Sequence, residues 1–272
     1  MSAVGAIVSR NLLNFIRDKA RLFGTLFMSL FFLFIFSFVM KSAMSGLAQP
    51  MNYLISGVII MAVFQSSLNN STDILSDIAS GFMKEILVAP ITRVQISIGQ
   101  ILSSSIIAVI QGIIFAVLGL FMGLKLDALH FTEMIGIMVV AGITFGSIGL
   151  FLATIARNSA AFQIIAAIVV MPFTFLSGAY IPTTLMPSFL RPLIFINPLT
   201  YITGIFRYIS LKMEGLSNAE LVKQGVAQSV NGFTITPLMG LMIIVLIGLV
   251  FFGLCVHKFN KADFSNVKVF HH

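Results

Sequence analysis

Long apolar stretches, each close to the length of a bilayer span, alternate with short polar segments along most of the chain. The first, Leu22–Met40, is rich in Phe and Leu and is bounded by Arg21 and Lys41. Others follow at Met51–Asn70, Val94–Leu124, Met134–Ala156, Ala160–Tyr180 and Leu238–Val256, and none of the six contains a charged residue. A transmembrane helix needs about 20 predominantly apolar residues. The runs are continuous rather than alternating, which excludes the strands of an outer-membrane barrel. The expected fold is all-α: one membrane domain over residues 1–272, with transmembrane helices at 22–40, 51–70, 94–124, 134–156, 160–180 and 238–256.

Three segments outside these runs have patterns of their own. In Val4–Lys19, Val4, Ile7, Val8, Leu12, Phe15 and Ile16 recur at helical spacing, with Ser9, Arg10, Asn14 and Arg17 opposite. This predicts an amphipathic helix over 1–20, lying along a membrane interface. The loop 73–93 reads DILSDIASGFMKEILVAPITR; Ile78, Phe82, Ile86 and Leu87 form a stripe that Pro90 terminates. A short amphipathic helix is expected there, either a plain connector or a lever that docks on a soluble protein. In 181–236, the apolar stretch Phe189–Phe206 is broken by Pro192 and Pro198 and contains Arg191. Proline removes a backbone donor and a mid-membrane charge is costly, so re-entrant short helices are expected rather than a straight span. Residues 212–236 are polar enough to form an exposed loop.

Composition agrees with lipid as the main solvent: 58% of residues are hydrophobic and 9% charged, against about a quarter charged in soluble domains. The net charge of +7 comes from bases gathered at the borders of the apolar runs, with no basic cluster suited to nucleic acid. With the N-terminus cytoplasmic, ten Lys and Arg fall inside and six outside, four of the six within one long loop. The positive-inside rule therefore places both termini in the cytoplasm. Cys255 is the single cysteine, so no intramolecular disulfide forms, and no cleavable signal peptide is evident.

Catalytic sets are absent from the pattern. The histidines are His130, His257, His271 and His272, without metal-ligand spacing, and His271 and His272 could equally be a tag remnant. Asp73 and Asp77, one helical turn apart, suit a helix start better than an aspartyl protease. No P-loop motif occurs, so nucleotide is not held by that route. The polar residues inside the runs are neutral. Gln111 sits deepest and, with Gln65 and Asn69, is a candidate for lining a pathway; each serves equally as an interhelical hydrogen-bonding group. Gly142 with Gly146, and Gly119 with Gly123, give small-residue faces for close helix packing.

Three stretches carry a family resemblance. They are SGFMKEILVAPITRVQISIGQIL (Ser80–Leu102), FLSGAYIPTTLMPSFLRPLIFINPLTYITGIFR (Phe175–Arg207), and the amphipathic start followed by a Phe-rich first span. In order and spacing the chain resembles the permease subunits of type-2 ATP-binding-cassette exporters, the membrane halves of bacterial drug, polysaccharide and lipid exporters. The resemblance implies alternating access in a plasma-membrane complex of two six-helix subunits, identical or homologous, with two cytoplasmic ATPase subunits. ATP and Mg would be bound by those partners, and this chain, lacking an ATPase domain, would be no enzyme itself. It implies that Asp77–Val88 is a coupling helix, with Asp77, Gly81, Phe82, Lys84, Glu85 and Ile86 at the ATPase contact. Val4–Arg17 would be a connecting helix beside it. Pro182, Pro192, Asn197, Pro198 and Arg207 would belong to an outer cap of re-entrant helices. The rival readings are an ion-coupled secondary carrier and a non-transporting membrane component of a sensor complex.

Overall fold

The structure is a computed structural model that describes residues 2–43, 50–88, 90–230 and 233–261; His271 and His272 lie outside them. A short helix α1 (Ala3–Arg17) leads into α2 (Lys19–Ala43) and α3 (Pro50–Asn69). Then come α4 (Thr72–Ala79), α5 (Phe82–Val88), α6 (Arg93–Phe121), α7 (Ala128–Ile155) and α8 (Ser159–Leu176). The chain continues through α9 (Arg191–Ile196), α10 (Pro198–Ser210), α11 (Asn218–Lys223), the strands β1 (Gln228–Val230) and β2 (Phe233–Ile235), and α12 (Pro237–Lys261).

Among these, α3, α6, α7, α8 and α12 are long and apolar enough to cross a membrane, and α2 adds 25 residues that are apolar over Leu22–Ile35. Even α8, with 18 residues, reaches about 27 Å at about 1.5 Å per residue, close to a bilayer's hydrocarbon thickness. The protein is therefore a multi-pass, all-α membrane protein. Its centre is α3, buried almost continuously from Tyr53 to Phe64 and packed against α2, α6, α7 and α10. The expected small-residue face of α7 lies against α6: a Cβ on Gly142 would stand 2.9 Å from the Ser105 backbone, and one on Gly146 2.6 Å from Ser104 Oγ. By contrast, only 17% of the apolar stretch of α8 and 22% of that of α12 is buried within the chain. Ile164, Ile168, Met171 and Phe175 form an exposed apolar band along α8.

Two expectations are corrected. The loop 73–93 is not one helix over Asp77–Val88 but the pair α4 and α5, broken at Ser80–Gly81. Gly81 has φ +80°, a left-handed conformation that ends α4 at little cost because it lacks a Cβ. Residues 212–236 hold regular structure as well: α11 begins at a capping box formed by Ser217 and Glu220, and β1 pairs antiparallel with β2, Gln228 opposite Ile235. The S-x-x-E signature of that cap is readable in the sequence. Strands of three residues carry too little pattern to be read.

Candidate functional site

The two charged side chains buried among the described residues, Asp77 and Arg207, sit one at each end of the bundle. The near end is where α1, the start of α6, α4 and α5 meet. Ser2 caps α1 by accepting from the Gly5 N–H at 3.2 Å. One face of α1 then presents Ile7, Asn11 and Phe15 at i, i+4 and i+8, all buried. Ile7 fits over Gly99 of α6, where a Cβ would stand 3.0 Å from the isoleucine side chain. Asn11 Nδ2 donates to Gln100 Oε1 and to Ser103 Oγ, both at 2.8 Å. Polar Asn11 is thus part of the buried face, while Leu13 and Ile16 stay exposed, as suits a helix with one flank on protein and another on lipid.

One turn around α1, Arg10 reaches the loop pair. Its guanidinium pairs with Asp77 of α4 and lies 4.5 Å from the ring centroid of Phe82 of α5. A single arginine thereby fastens three helices, through a charge-assisted hydrogen bond and a cation–π contact. Asp77, only 6% exposed, points at Arg10 rather than at any external partner, and Ile86 and Met83 are turned into the core. The surface that α4 and α5 offer outward comprises Ser76, Ala79, Ser80 and Glu85, with Gly81 and Phe82 half-buried beside them. The Lys84 side chain lies outside the described residues.

At the far end the chain breaks at Asn197. The helical pair Ser188–Ile196 and Pro198–Ser210 bends by 86° there. Asn197 accepts from the Leu199 N–H at 3.0 Å, capping α10, and donates to the Phe173 carbonyl at 2.9 Å, capping the end of α8. Pro198 occupies the first turn of α10, where its missing N–H has no helical acceptor to lose. Pro182 is buried at the start of a 3-10 turn, whereas Pro192 is exposed. Tyr201 donates to the Phe195 carbonyl at 2.6 Å, holding the bend closed.

Arg207, on α10, is fully buried. Its guanidinium donates to the carbonyls of Gly178 at 2.7 Å and Ala179 at 2.6 Å and stacks 3.4 Å from the Tyr53 ring centroid. No carboxylate pairs with it among the described residues; carbonyl dipoles and an aromatic face solvate the charge. Gly57 of α3 permits this arrangement, since a Cβ there would stand 2.0 Å from the Ala179 carbonyl oxygen. Arg207 therefore joins α3, α10 and the turn after α8.

Gln111 does not face an open passage: it is 2% exposed and donates to Thr25 Oγ1 of α2 at 3.0 Å, the interhelical role. Gln65 and Asn69 are half-buried along α3. Also at the far end, His130 on α7 meets Asp127 and Glu214. A hydrogen bond from Lys212 holds the Asp127 carboxyl down at about 2, with His130 adding to the effect. Sequence spacing gave no sign of this cluster, because Glu214 arrives from a distant loop.

Comparison with known proteins bears on the whole arrangement. A family model described as "ABC-2 type transporter" matches residues 2–211, which takes in both ends and stops after α10. A protein of Cyanophora paradoxa named "Putative transport permease ycf38" is 26% identical over 217 residues, covering 79% of this chain and 72% of that one. Proteins of the same name from Porphyra purpurea and Pyropia yezoensis are each 28% identical over 160 residues, 58% of this chain and 55% of theirs. The chain thus spans a little over half the length of those latter two.

Proposed function

This chain belongs to the ABC-2 type transporter family, and from that premise we propose that it is the membrane-spanning permease of an ATP-driven exporter. Family membership implies partnership with an ABC ATPase. The proposed complex holds two ATPase copies, which bind ATP and Mg, and two permeases, identical or homologous. The near end faces the cytoplasm of a plasma membrane, with both termini on that side, and the cargo is an amphipathic drug, lipid, peptide or glycan. ATP binding brings the ATPases together, α4 and α5 move with them, and the permeases alternate between inward- and outward-open states. Each nucleotide state must favour one of the two arrangements for this to work.

The observation that carries the reading is the Arg10 junction. It makes α1, α4 and α5 one mechanical unit braced against α6, while Glu85 and the Ser80–Gly81 turn remain outward for a partner. The proposal is tested by purifying the chain from its native membrane and reconstituting it in vesicles. The expected result is a stoichiometric P-loop ATPase in the complex and export that requires ATP. Export by the chain alone under an ion gradient would support a secondary carrier instead.

A further inference from the structure

We propose that His130, Glu133 and Glu214 form a binding site for a divalent transition-metal ion of the Zn2+ type at the far end of the bundle. One ligand atom from each lies within 4.8 Å of the others, and His130 Nε2 stands 3.1 Å from Glu214 Oε1. His130 and Glu133 are three apart on α7 and so share a face; Glu214 comes from the loop after α10. The set combines an imidazole with two carboxylates, a donor mixture that suits zinc and its first-row neighbours better than the all-oxygen shells of magnesium or calcium.

The feature that distinguishes this cluster from a chance surface ion pair lies outside the three ligands. Asp127 bonds Nδ1 of His130. That bond fixes the imidazole with Nε2 toward Glu214, the carboxylate–histidine–metal arrangement by which proteins orient a ligand from behind. Lys212 Nζ, 3.1 Å from Asp127, pairs with this supporting carboxylate and not with the ligands. Tetrahedral zinc, with bonds of about 2.0–2.2 Å, sets its ligand atoms about 3.4 Å apart. Glu214 already stands within that spacing of His130, and the exposed Glu133 side chain has at most about 1.4 Å to close. The site also precedes the uncharged run of α7, which begins at Met134, so His130 and Glu133 lie on its polar first turns rather than in the span. A bound ion would staple the start of α7 to the segment that leaves α10, and hence to the bent pair anchored by Arg207.

The test is titration of the full-length protein in nanodiscs with ZnCl2 against a chromophoric chelator, repeated with Co2+ by visible absorption. The wild type is expected to take up one equivalent that His130→Ala lacks. Glu133→Gln and Glu214→Gln should each bind at least about tenfold more weakly, and Asp127→Asn about tenfold more weakly by loss of orientation. His257, His271 and His272 remain in every variant and set a common background. Matched thermal unfolding without zinc separates loss of the site from loss of the fold. Equal uptake by wild type and His130→Ala, or unchanged affinity in both glutamate variants, would overturn the proposal.

Discussion

Replacing Gly57 by alanine is expected to abolish folded protein, with Arg207→Lys falling only a little short of that. Both act on the junction of α3, α10 and the turn after α8. A Cβ on Gly57 would stand 2.0 Å from the Ala179 carbonyl oxygen and 3.0 Å from the Arg207 guanidinium. The obstructing atom is backbone, so relief requires α3 to move away from the turn, and α3 is buried along nearly its whole length. The arginine variant isolates the chemistry. Lysine keeps the charge but not the planar fork that serves the Gly178 and Ala179 carbonyls together, nor the flat face that stacks on Tyr53. Each buried carbonyl left unpaired costs about 1–3 kcal/mol, so a loss of about 3 kcal/mol is expected, a large share of the stability of an ordinary domain. Folded yield by size exclusion and thermal unfolding in detergent check this; a Gly57→Ala protein with wild-type yield and midpoint would contradict it.

The second large effect is expected at the opposite end. Arg10→Glu should reduce export at least about tenfold, while basal ATP hydrolysis by the partner continues. A charge-assisted hydrogen bond of this kind contributes on the order of 2 kcal/mol, and reversal adds repulsion from Asp77. Because Arg10 also covers the Phe82 ring, its loss frees α5 as well as α4. The double exchange Arg10→Asp with Asp77→Arg should recover part of the export, since it restores the ion pair though not the ring contact. Arg10→Lys should fall between, keeping charge but losing the guanidinium plane. Coupled ATPase and export assays on reconstituted complexes read all three; unaltered export in Arg10→Glu would remove the junction from the mechanism.

How much of this is legible in the sequence follows from the range of each interaction. Uncharged runs of spanning length are local signals, and α2, α3, α6, α7, α8 and α12 follow them with shifts at their ends; α7 begins at Ala128 rather than Met134. The break at Asn197–Pro198 was likewise visible, because a capping residue followed by proline is a helix start written in two adjacent residues. The role of Asp77 is hidden for the opposite reason. A carboxylate on a short amphipathic helix looks solvent-facing until its partner, Arg10, is brought up from 67 positions away. Gln111 stands out in the sequence because it lies deepest in its run, and its bond to Thr25, 86 positions away, is not visible there. The metal-ligand cluster spans 84, from His130 to Glu214, and no spacing rule reaches that far. The burial of Arg207 against carbonyls and Tyr53 needs three separate elements in position.

The claim on which the account rests is that the surface formed by α4 and α5 receives the work of ATP. The most direct measurement is export and ATP hydrolysis, side by side, by reconstituted complexes containing Phe82→Asp together with Glu85→Lys. The expected result is a complex that still hydrolyses ATP but has lost export, with Arg207 and the far-end cap untouched and the permease folded. Export coupled to hydrolysis at the wild-type ratio would contradict it and place the energy input elsewhere on the chain.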